Sequence, residues 1–323
     1  MSPRPDPGVR ERRIPPANGA GMLGPIRRAG ILRRISMNKI GIYYAFWTHQ
    51  WDADFVPFVS RVRRLGFDIL EVNSGTVTAM TLSERDRLRR AAARARVELT
   101  YCIGLPHRYD IASPSAGVRR EGVAFLKRSA KMLRYMGHKQ LGGIIYSSWP
   151  SKLPFGEDKR RYLDRSVRSM REVIKVAEDC DVFFNVEVVN RFEQFLLNTA
   201  AEGVDYVRRV GSPHCRVLLD TFHLNIEEDD IGGAIEATGA RLGHFHIGET
   251  NRRPPGRGRM PWGEIFGALQ RIGYAGAITM EPFLMPGGEV GRDISVYRDM
   301  RGGLDLDREA GRALRFVRRR LGA

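Results

Sequence analysis

The chain has 323 residues, and its 42% of hydrophobic and 28% of charged residues are typical of a folded protein with a full-sized core. No apolar run approaches the roughly 18 to 20 residues that span a bilayer, so we expect neither a membrane-spanning segment nor a membrane partner. The net charge is +16, but eight arginines lie in residues 1–36 and others lie in helical runs such as 85–96 without interleaved aromatic residues, which favours a solvated surface over a nucleic-acid partner.

The three cysteines, Cys102, Cys180 and Cys215, lie far apart in the chain. Their number and spacing fit neither a disulfide framework nor a CxxC metal site, and they indicate a reducing compartment. We therefore expect a cytoplasmic protein.

Residues 1–36 differ in character from the rest of the chain. They are rich in proline, glycine and arginine and show no sustained periodicity, so we expect a disordered leader without a secretory signal. At Met37 the sequence changes abruptly to NKIGIYYAFW, and Met37 therefore resembles a natural start. We assign a leader to 1–36 and one folded domain to 37–323.

From Met37 onward, short β-rich runs alternate with longer amphipathic runs of helical periodicity. Strands are predicted over 39–46, 68–73, 98–103, 141–147, 182–189, 216–220, 242–247 and 277–281. Two helix starts, Thr81 with Glu84 and Thr199 with Glu202, have the spacing of a capping box, and a last helix is predicted over about 307–321.

Eight βα units in succession predict a single-domain α/β protein with the (β/α)₈ architecture, a TIM barrel. The alternative is an open, doubly wound sheet. That fold would need a GxGxxG phosphate turn after the first strand, and none follows it here. We therefore expect a closed barrel and no nucleotide cofactor.

Four consecutive predicted strands carry polar residues near their carboxyl ends, where barrel active sites lie. Glu187 lies in FFNVEVVN, Asp220 ends RVLLD, His244 and His246 lie in GHFHIGE, and Glu281 lies in AITMEPF. A carboxylate in an apolar strand is costly unless it is paired or bound to metal. Three carboxylates and one imidazole predict a site for a divalent cation such as Mn²⁺. The two histidines face the same side, so we expect one to be a ligand and the other to hydrogen-bond behind it.

A second group of residues has the chemistry of a pocket for a polyhydroxylated molecule. Glu193, His223 and Arg252 can form charged hydrogen bonds, and Tyr43, Trp51 and Trp149 can form aromatic walls. Each residue by itself is more often structural, and Trp51 could simply close the barrel end.

Four strings of residues carry a resemblance to a known family. EVVNRFE, LDTFHLNIEED, LGHFHIGETNRRPPGRGRMPW and MEPF, in this order and with these gaps, resemble the ketose 3-epimerases. That family includes D-tagatose 3-epimerase and D-allulose (D-psicose) 3-epimerase and shares its barrel with xylose isomerase. The resemblance runs from about Lys39 to at least Met300. It implies C3 epimerisation of free ketoses, such as D-fructose to D-allulose or D-tagatose to D-sorbose, by a homodimer or homotetramer.

The resemblance also implies roles for individual residues. Glu187, Asp220, His246 and Glu281 match the metal ligands, with Mn²⁺ or Co²⁺ preferred and Mg²⁺ also accepted. Glu187 and Glu281 match the two catalytic carboxylates as well. The residues that match the substrate pocket are Glu193, His223 and Arg252 at the O1 to O3 end, and Tyr43, Trp51, Gly104 and Trp149 in the wall.

The chemistry of these residues agrees with epimerisation at C3. The carbonyl beside C3 makes its proton weakly acidic, and a cation can stabilise the enediolate that forms when the proton leaves. Epimerisation then needs a base on one face of C3 and an acid on the other, and Glu187 and Glu281 are on different strands.

The chain departs from the family pattern in GGIIYSSWP. Ile144 and Tyr146 stand where some relatives carry a small residue and a histidine, so we expect a pocket of altered shape around C4 to C6.

Three other functions compete with this interpretation. An aldose–ketose isomerase of the same barrel would move the proton between C1 and C2 with much the same metal site. A DNA endonuclease on this barrel would need several zinc ions and many histidine ligands, whereas the remaining histidines of this chain are scattered. A non-catalytic sugar-binding protein would not need two metal-bound glutamates. The paired carboxylates favour the epimerase.

Overall fold

The computed structural model describes residues 38–322, and within them eight parallel strands form a closed barrel. The strands are β1 (Ile40–Tyr43), β2 (Ile69–Asn73), β3 (Glu98–Cys102), β4 (Gln140–Gly143), β5 (Phe183–Val188), β6 (Cys215–Asp220), β7 (Leu242–Ile247) and β8 (Ile278–Met280). Each strand pairs with the next in the chain, and β8 pairs back with β1. The predicted single-domain TIM barrel is confirmed, and the leader predicted over 1–36 lies outside the described residues.

Helices alternate with the strands and surround the barrel. They are α1 (Val56–Leu65), α2 (Ser74–Ala79), α3 (Leu82–Ala95), α4 (Ala116–Met136), α5 (Lys159–Cys180), α6 (Ala200–Val210), α7 (Thr221–Glu227), α8 (Ile231–Thr238), α9 (Trp262–Arg271), α10 (Gly288–Asp293) and α11 (Leu306–Leu321). Both predicted capping boxes are present, at the starts of α3 and α6. Between 38 and 322, no helix has the combination of length and apolar character that crossing a bilayer requires.

Two predicted strands are shorter than expected. β1 ends at Tyr43, and Tyr44–Trp47 is a buried 3₁₀ helix whose aromatic composition resembles that of a strand. β4 ends at Gly143, where a φ of +108° turns the chain out of the sheet. A side chain at that glycine would place its Cβ 2.3 Å from the carbonyl oxygen of Ile103, so the turn requires glycine.

The barrel interior becomes polar towards the carboxyl ends of the strands. Asp220 is opposite His246 in the β6–β7 register, and His246 is opposite Thr279 in the β7–β8 register. All three side chains are fully buried. Because burial of charged groups is costly unless they are paired or bind metal, this layer marks the position of a functional site.

Candidate active site

The four predicted metal ligands lie at the carboxyl ends of four neighbouring strands. Glu187 lies on β5, Asp220 is the last residue of β6, His246 lies on β7, and Glu281 directly follows β8. One ligand atom from each lies within 4.8 Å of those of the other three, and all four side chains are buried. The structure therefore brings the predicted quartet together. Three carboxylates and an imidazole at this spacing could hold a divalent cation.

The hydrogen bonds of His246 support this interpretation. Its Nδ1 faces the cluster, 3.4 Å from Oε1 of Glu187 and 3.8 Å from Oε2 of Glu281, and has no hydrogen-bond partner among the described residues. A buried nitrogen without a partner is unfavourable. The lone pair of Nδ1 and the surrounding carboxylate oxygens are the donor set that a divalent cation needs.

Arg252 also reaches into the carboxylate cluster. Its Nη1 donates to Oδ2 of Asp220 at 2.9 Å and to Oε2 of Glu281 at 3.1 Å, and its guanidinium lies over the ring of Phe222. Burial alone would raise the pKa of Asp220, but Arg252 and His223 outweigh it and lower the pKa. The pKa of Glu281 is instead raised well above its ordinary value, because burial dominates over the nearby positive charges. The two carboxylates thus differ strongly in acidity.

Asp220 also fixes the start of α7. Its Oδ1 accepts a hydrogen bond from the backbone N–H of Phe222 at 2.6 Å, and the carboxylate therefore caps the helix that carries His223. Nδ1 of His223 accepts from the backbone N–H of Asn190 at 3.2 Å, which leaves Nε2 to carry the ring proton. His223 is therefore oriented as a hydrogen-bond donor in the site.

Glu193 is held from two sides on the loop after β5. Nδ2 of Asn190 donates to its Oε1 and Nε1 of Trp149 donates to its Oε2, each at 3.0 Å. Burial opposes ionisation of Glu193, but the neighbouring His223 and Arg252 lower its pKa. Glu193 is thus an oriented carboxylate that can accept hydrogen bonds from hydroxyl groups.

A cavity of about 620 Å³ opens above the carboxylate cluster. Its lining includes all of the predicted pocket residues: Tyr43, Trp51, Gly104, Trp149, Glu193, His223 and Arg252. Glu187 and Glu281 line the same cavity, whereas the fully buried Asp220 and His246 lie beneath them. The cavity is therefore polar at its floor and aromatic along its wall.

Trp51 belongs to the cavity wall rather than only closing the barrel end. Its ring lies 6.5 Å from Tyr43 and 6.4 Å from both Trp149 and Phe283, measured between ring centroids. The indole Nε1 donates to Oδ2 of Asp293 on α10 at 2.9 Å. This tether was not predicted, because Asp293 lies in a charged segment without a recognisable motif.

The two histidines of β7 differ in position, as expected: His246 belongs to the carboxylate cluster, and His244 forms its hydrogen bond behind it. The shared partner is Glu71 on β2, because Nε2 of His244 lies 2.7 Å from its Oε2 and Nε2 of His246 lies 2.7 Å from its Oε1. Glu71 was not singled out from the sequence. It is a carboxylate within the apolar strand ILEVN, the same signal that pointed to Glu187.

The two departures from the family pattern have different positions. Ile144 lines the cavity, as expected. Tyr146 is fully buried and packs beside Tyr206, with 6.0 Å between ring centroids. Ile144, and not Tyr146, is therefore the residue of this pair that shapes the cavity.

Comparison with known proteins gives a consistent result. Residues 59–318 match the family described as xylose isomerase-like TIM barrel. The D-psicose 3-epimerase of Ruminiclostridium cellulolyticum is 46% identical over 87% of this chain and 97% of its own length. The D-psicose 3-epimerase of Agrobacterium fabrum is 44% identical over 88% of this chain and 99% of its own length. The solved structure of D-psicose 3-epimerase with D-tagatose from Clostridium cellulolyticum H10 superposes with a TM-score of 0.86 and 46% identity, covering 88% of this chain and 99% of that one.

Proposed function

Because this chain belongs to the xylose isomerase-like TIM barrel family, and within it to the ketose 3-epimerases, we propose that it interconverts free ketoses that differ at C3. The substrates are ketoses such as D-fructose with D-psicose, or D-tagatose with D-sorbose. The observation that carries the proposal is the convergence of Glu187, Asp220, His246 and Glu281 beneath one cavity. The chain is accordingly an isomerase of the carbohydrate epimerase class.

The quartet Glu187, Asp220, His246 and Glu281 is the proposed binding site of a divalent cation. Mn²⁺ is the first choice, with Co²⁺ or Mg²⁺ as alternatives, because hard carboxylate oxygens and one imidazole suit these ions. Such a cation would polarise the ketose carbonyl and stabilise the negative charge of an enediolate. The unpartnered Nδ1 of His246 supports this assignment.

Glu187 and Glu281 are the proposed base and acid, because both line the cavity and come from different strands. One carboxylate removes the C3 proton, and the electron pair of the C–H bond forms the C2–C3 double bond of the enediolate while negative charge moves to O2. The other, in its protonated form, donates its proton to the opposite face of C3, and the carbonyl re-forms. Each turnover therefore leaves the base protonated and the acid deprotonated. Proton exchange with water restores the starting state, or the two carboxylates act with reversed roles on the other epimer.

Glu193, His223 and Arg252 are proposed to hold the O1 to O3 end of the sugar. The tethered Glu193 carboxylate accepts from sugar hydroxyls, while His223 and Arg252 donate. Tyr43, Trp51, Gly104 and Trp149 form the wall in this proposal. Gly104 has a steric role there, because a Cβ at this position would lie 2.9 Å from the ring of Trp149.

Proton exchange with solvent tests the proposed reaction. The protein is stripped with a chelator, reloaded with Mn²⁺ and incubated in D₂O with D-fructose, D-psicose, D-tagatose and L-ribulose in separate reactions. We expect deuterium at C3, detected by NMR, and no exchange in the chelated protein. Deuterium only at C1 or C2 would identify an aldose–ketose isomerase, and no incorporation at all would refute both reactions.

We also propose that the protein is a homodimer or homotetramer and that it is located in the cytoplasm. The aromatic side chains of Phe155 and Phe192 are exposed on the loops after β4 and β5, where a second copy could cover them. The three free cysteines fit a reducing compartment. Light scattering of the wild type and of Phe155→Asp tests the assembly, and a monomeric wild type would refute it.

A further inference from the structure

Glu71 occupies the interior of the barrel beside the carboxylate cluster. Its Oε2 accepts a hydrogen bond from Oγ1 of Thr100 at 2.7 Å and lies 2.7 Å from Nε2 of His244. Its Oε1 lies 2.7 Å from Nε2 of His246. All four side chains are at most 1% exposed. Oε2 of Glu71 thus contacts Thr100 and His244, and Oε1 faces His246.

The two ring nitrogens of His246 face different groups. Nδ1 faces Glu187 and Glu281, whereas Nε2 faces Glu71. A neutral imidazole carries its proton on only one of these nitrogens, and the nitrogen without the proton offers its lone pair. A proton on Nε2, directed at Glu71, therefore leaves the lone pair of Nδ1 directed at the carboxylate cluster.

We propose that Glu71 is a positioning residue that holds the His246 ring with Nδ1 presented to the divalent cation. The inference rests on the proposed function, because it concerns the cation site of that reaction. Histidine ligands generally donate their second ring N–H to a carboxylate, carbonyl or water that orients the ring and makes it a better ligand. In this chain the acceptor comes from β2, on a different part of the barrel from the four ligands.

Neither Nε2 of His246 nor Oε1 of Glu71 has an aligned hydrogen-bond partner among the described residues. Their 2.7 Å contact is close but off-axis, and each atom therefore has the other as its nearby partner. Removing the carboxylate charge would leave Nε2 without a strong acceptor in a fully buried position. The ring would then be free to rotate or to change tautomer, and Nδ1 would be a poorer ligand.

The affinity of the apoprotein for Mn²⁺ tests this inference without reference to turnover. The metal-free wild type, Glu71→Gln and the control Thr100→Val are each titrated with Mn²⁺. Free Mn²⁺ is measured by electron paramagnetic resonance. Loss of an outer-shell partner typically weakens metal binding by about 10–100-fold, and we expect this loss in Glu71→Gln. The control removes one hydrogen bond to the same carboxylate but keeps the acceptor of His246, and we expect a change below about threefold.

Two results would overturn the inference, and a third would overturn the proposed function on which it rests. Equal Mn²⁺ affinity in wild type and folded Glu71→Gln would show that Glu71 does not position the ligand. An equally large loss in Thr100→Val would assign the effect to general repacking of the barrel interior. A wild type that binds no Mn²⁺ would instead overturn the proposed cation site itself, which is a different failure from the first two.

A measurement on the wild type covers the case in which Glu71→Gln does not fold. With ¹⁵N-labelled histidine and diamagnetic Cd²⁺ in the site, NMR assigns the tautomer of His246. We expect the proton on Nε2 and a Cd²⁺-coupled Nδ1. A proton on Nδ1, or Cd²⁺ coupling at Nε2, would overturn the proposed orientation.

Discussion

Nη1 of Arg252 donates a hydrogen bond to Oδ2 of Asp220 across 2.9 Å inside the barrel. Both side chains are buried, and the guanidinium also contacts Glu281, so the positive charge of Arg252 faces two of the three carboxylates in the cluster. Removal of one partner of a buried ion pair leaves an uncompensated charge, which typically costs about 3–5 kcal/mol. Arg252 therefore has a predicted role in the stability of the cation-free protein as well as in the proposed binding of substrate.

Replacement of Arg252 by methionine should destabilise the cation-free protein. We expect the free energy of unfolding of chelated Arg252→Met, measured by urea denaturation, to fall by about 3–5 kcal/mol, because the negative cluster loses its nearest counter-charge. Mn²⁺ should stabilise this variant more than the wild type, because a bound cation supplies the missing positive charge. An unchanged unfolding midpoint in the chelated protein would contradict this prediction.

Arg87→Met is the matched control for this experiment. Arg87 pairs with Asp54 at 3.3 Å, and the two side chains are 57% and 47% exposed. Exposed ion pairs contribute about 0–1 kcal/mol, so we expect a correspondingly small change.

Neutralising either proposed catalytic carboxylate should abolish epimerisation. Glu187→Gln and Glu281→Gln keep the side-chain shape but remove proton transfer, which typically contributes about 10²–10⁴-fold to a rate. The measurement is kcat together with deuterium incorporation at C3. Mn²⁺ occupancy is determined in the same samples, because both residues are also proposed ligands.

The exposed Glu236, paired with Arg271 outside the barrel, supplies the control Glu236→Gln, which should retain wild-type turnover. Substantial epimerisation by either active-site variant with the cation bound would refute the two-carboxylate mechanism.

Loss of the Asp293 carboxylate should weaken substrate binding through Trp51. The indole N–H loses its acceptor in Asp293→Ala, and the ring becomes less restricted in the cavity wall. A hydrogen bond to a charged group contributes about 1.5–3 kcal/mol, and because this site is only partly buried we expect KM to rise by up to about tenfold with a smaller change in kcat.

Trp51→Phe removes the same hydrogen bond from the other side and should raise KM similarly, with little further change in the double variant. Asp299→Asn provides a control within the same chain segment, because Asp299 pairs with Arg301 at 3.0 Å. An unchanged KM in Asp293→Ala would show that the hydrogen bond from Trp51 to Asp293 does not contribute to substrate binding.

Gly143→Ala should destabilise the fold because of the turn at the end of β4. The glycine has a φ of +108°, and a Cβ would lie 2.3 Å from the backbone oxygen of Ile103, which cannot move away without breaking β3–β4 contacts. Backbone strain alone costs about 1–3 kcal/mol, and the steric clash adds to it. Urea denaturation measures the change.

Gly137→Ala separates the two contributions. Its φ is +76°, but no described atom lies within 4 Å of the added Cβ, so only backbone strain applies. A loss in Gly143→Ala no larger than that in Gly137→Ala would show that the backbone of Ile103 does not restrict this position.

The barrel and the proposed ligand set could be predicted from the amino-acid sequence alone. Eight β-rich runs alternate with helical runs. The spacing of apolar residues that identifies each run involves only residues close together in the chain. The ends of parallel strands converge in a barrel, so Glu187, Asp220, His246 and Glu281 could be predicted to meet from their positions on consecutive strands. The ends of β1 and β4 could not be predicted, because the buried residues that follow each strand have the composition of a strand.

The groups that hold these residues in position could be identified only from the folded structure. Glu71 contacts His244 and His246 because the interior side chains of β2 and β7 face each other in the closed barrel. His244 lies 173 positions after Glu71 in the chain. Asp293 meets Trp51 over a separation of 242 residues. Neither pair leaves a local pattern in the sequence. Their contacts depend on barrel closure and on the path of a connecting segment, which are set by the packing of the whole domain.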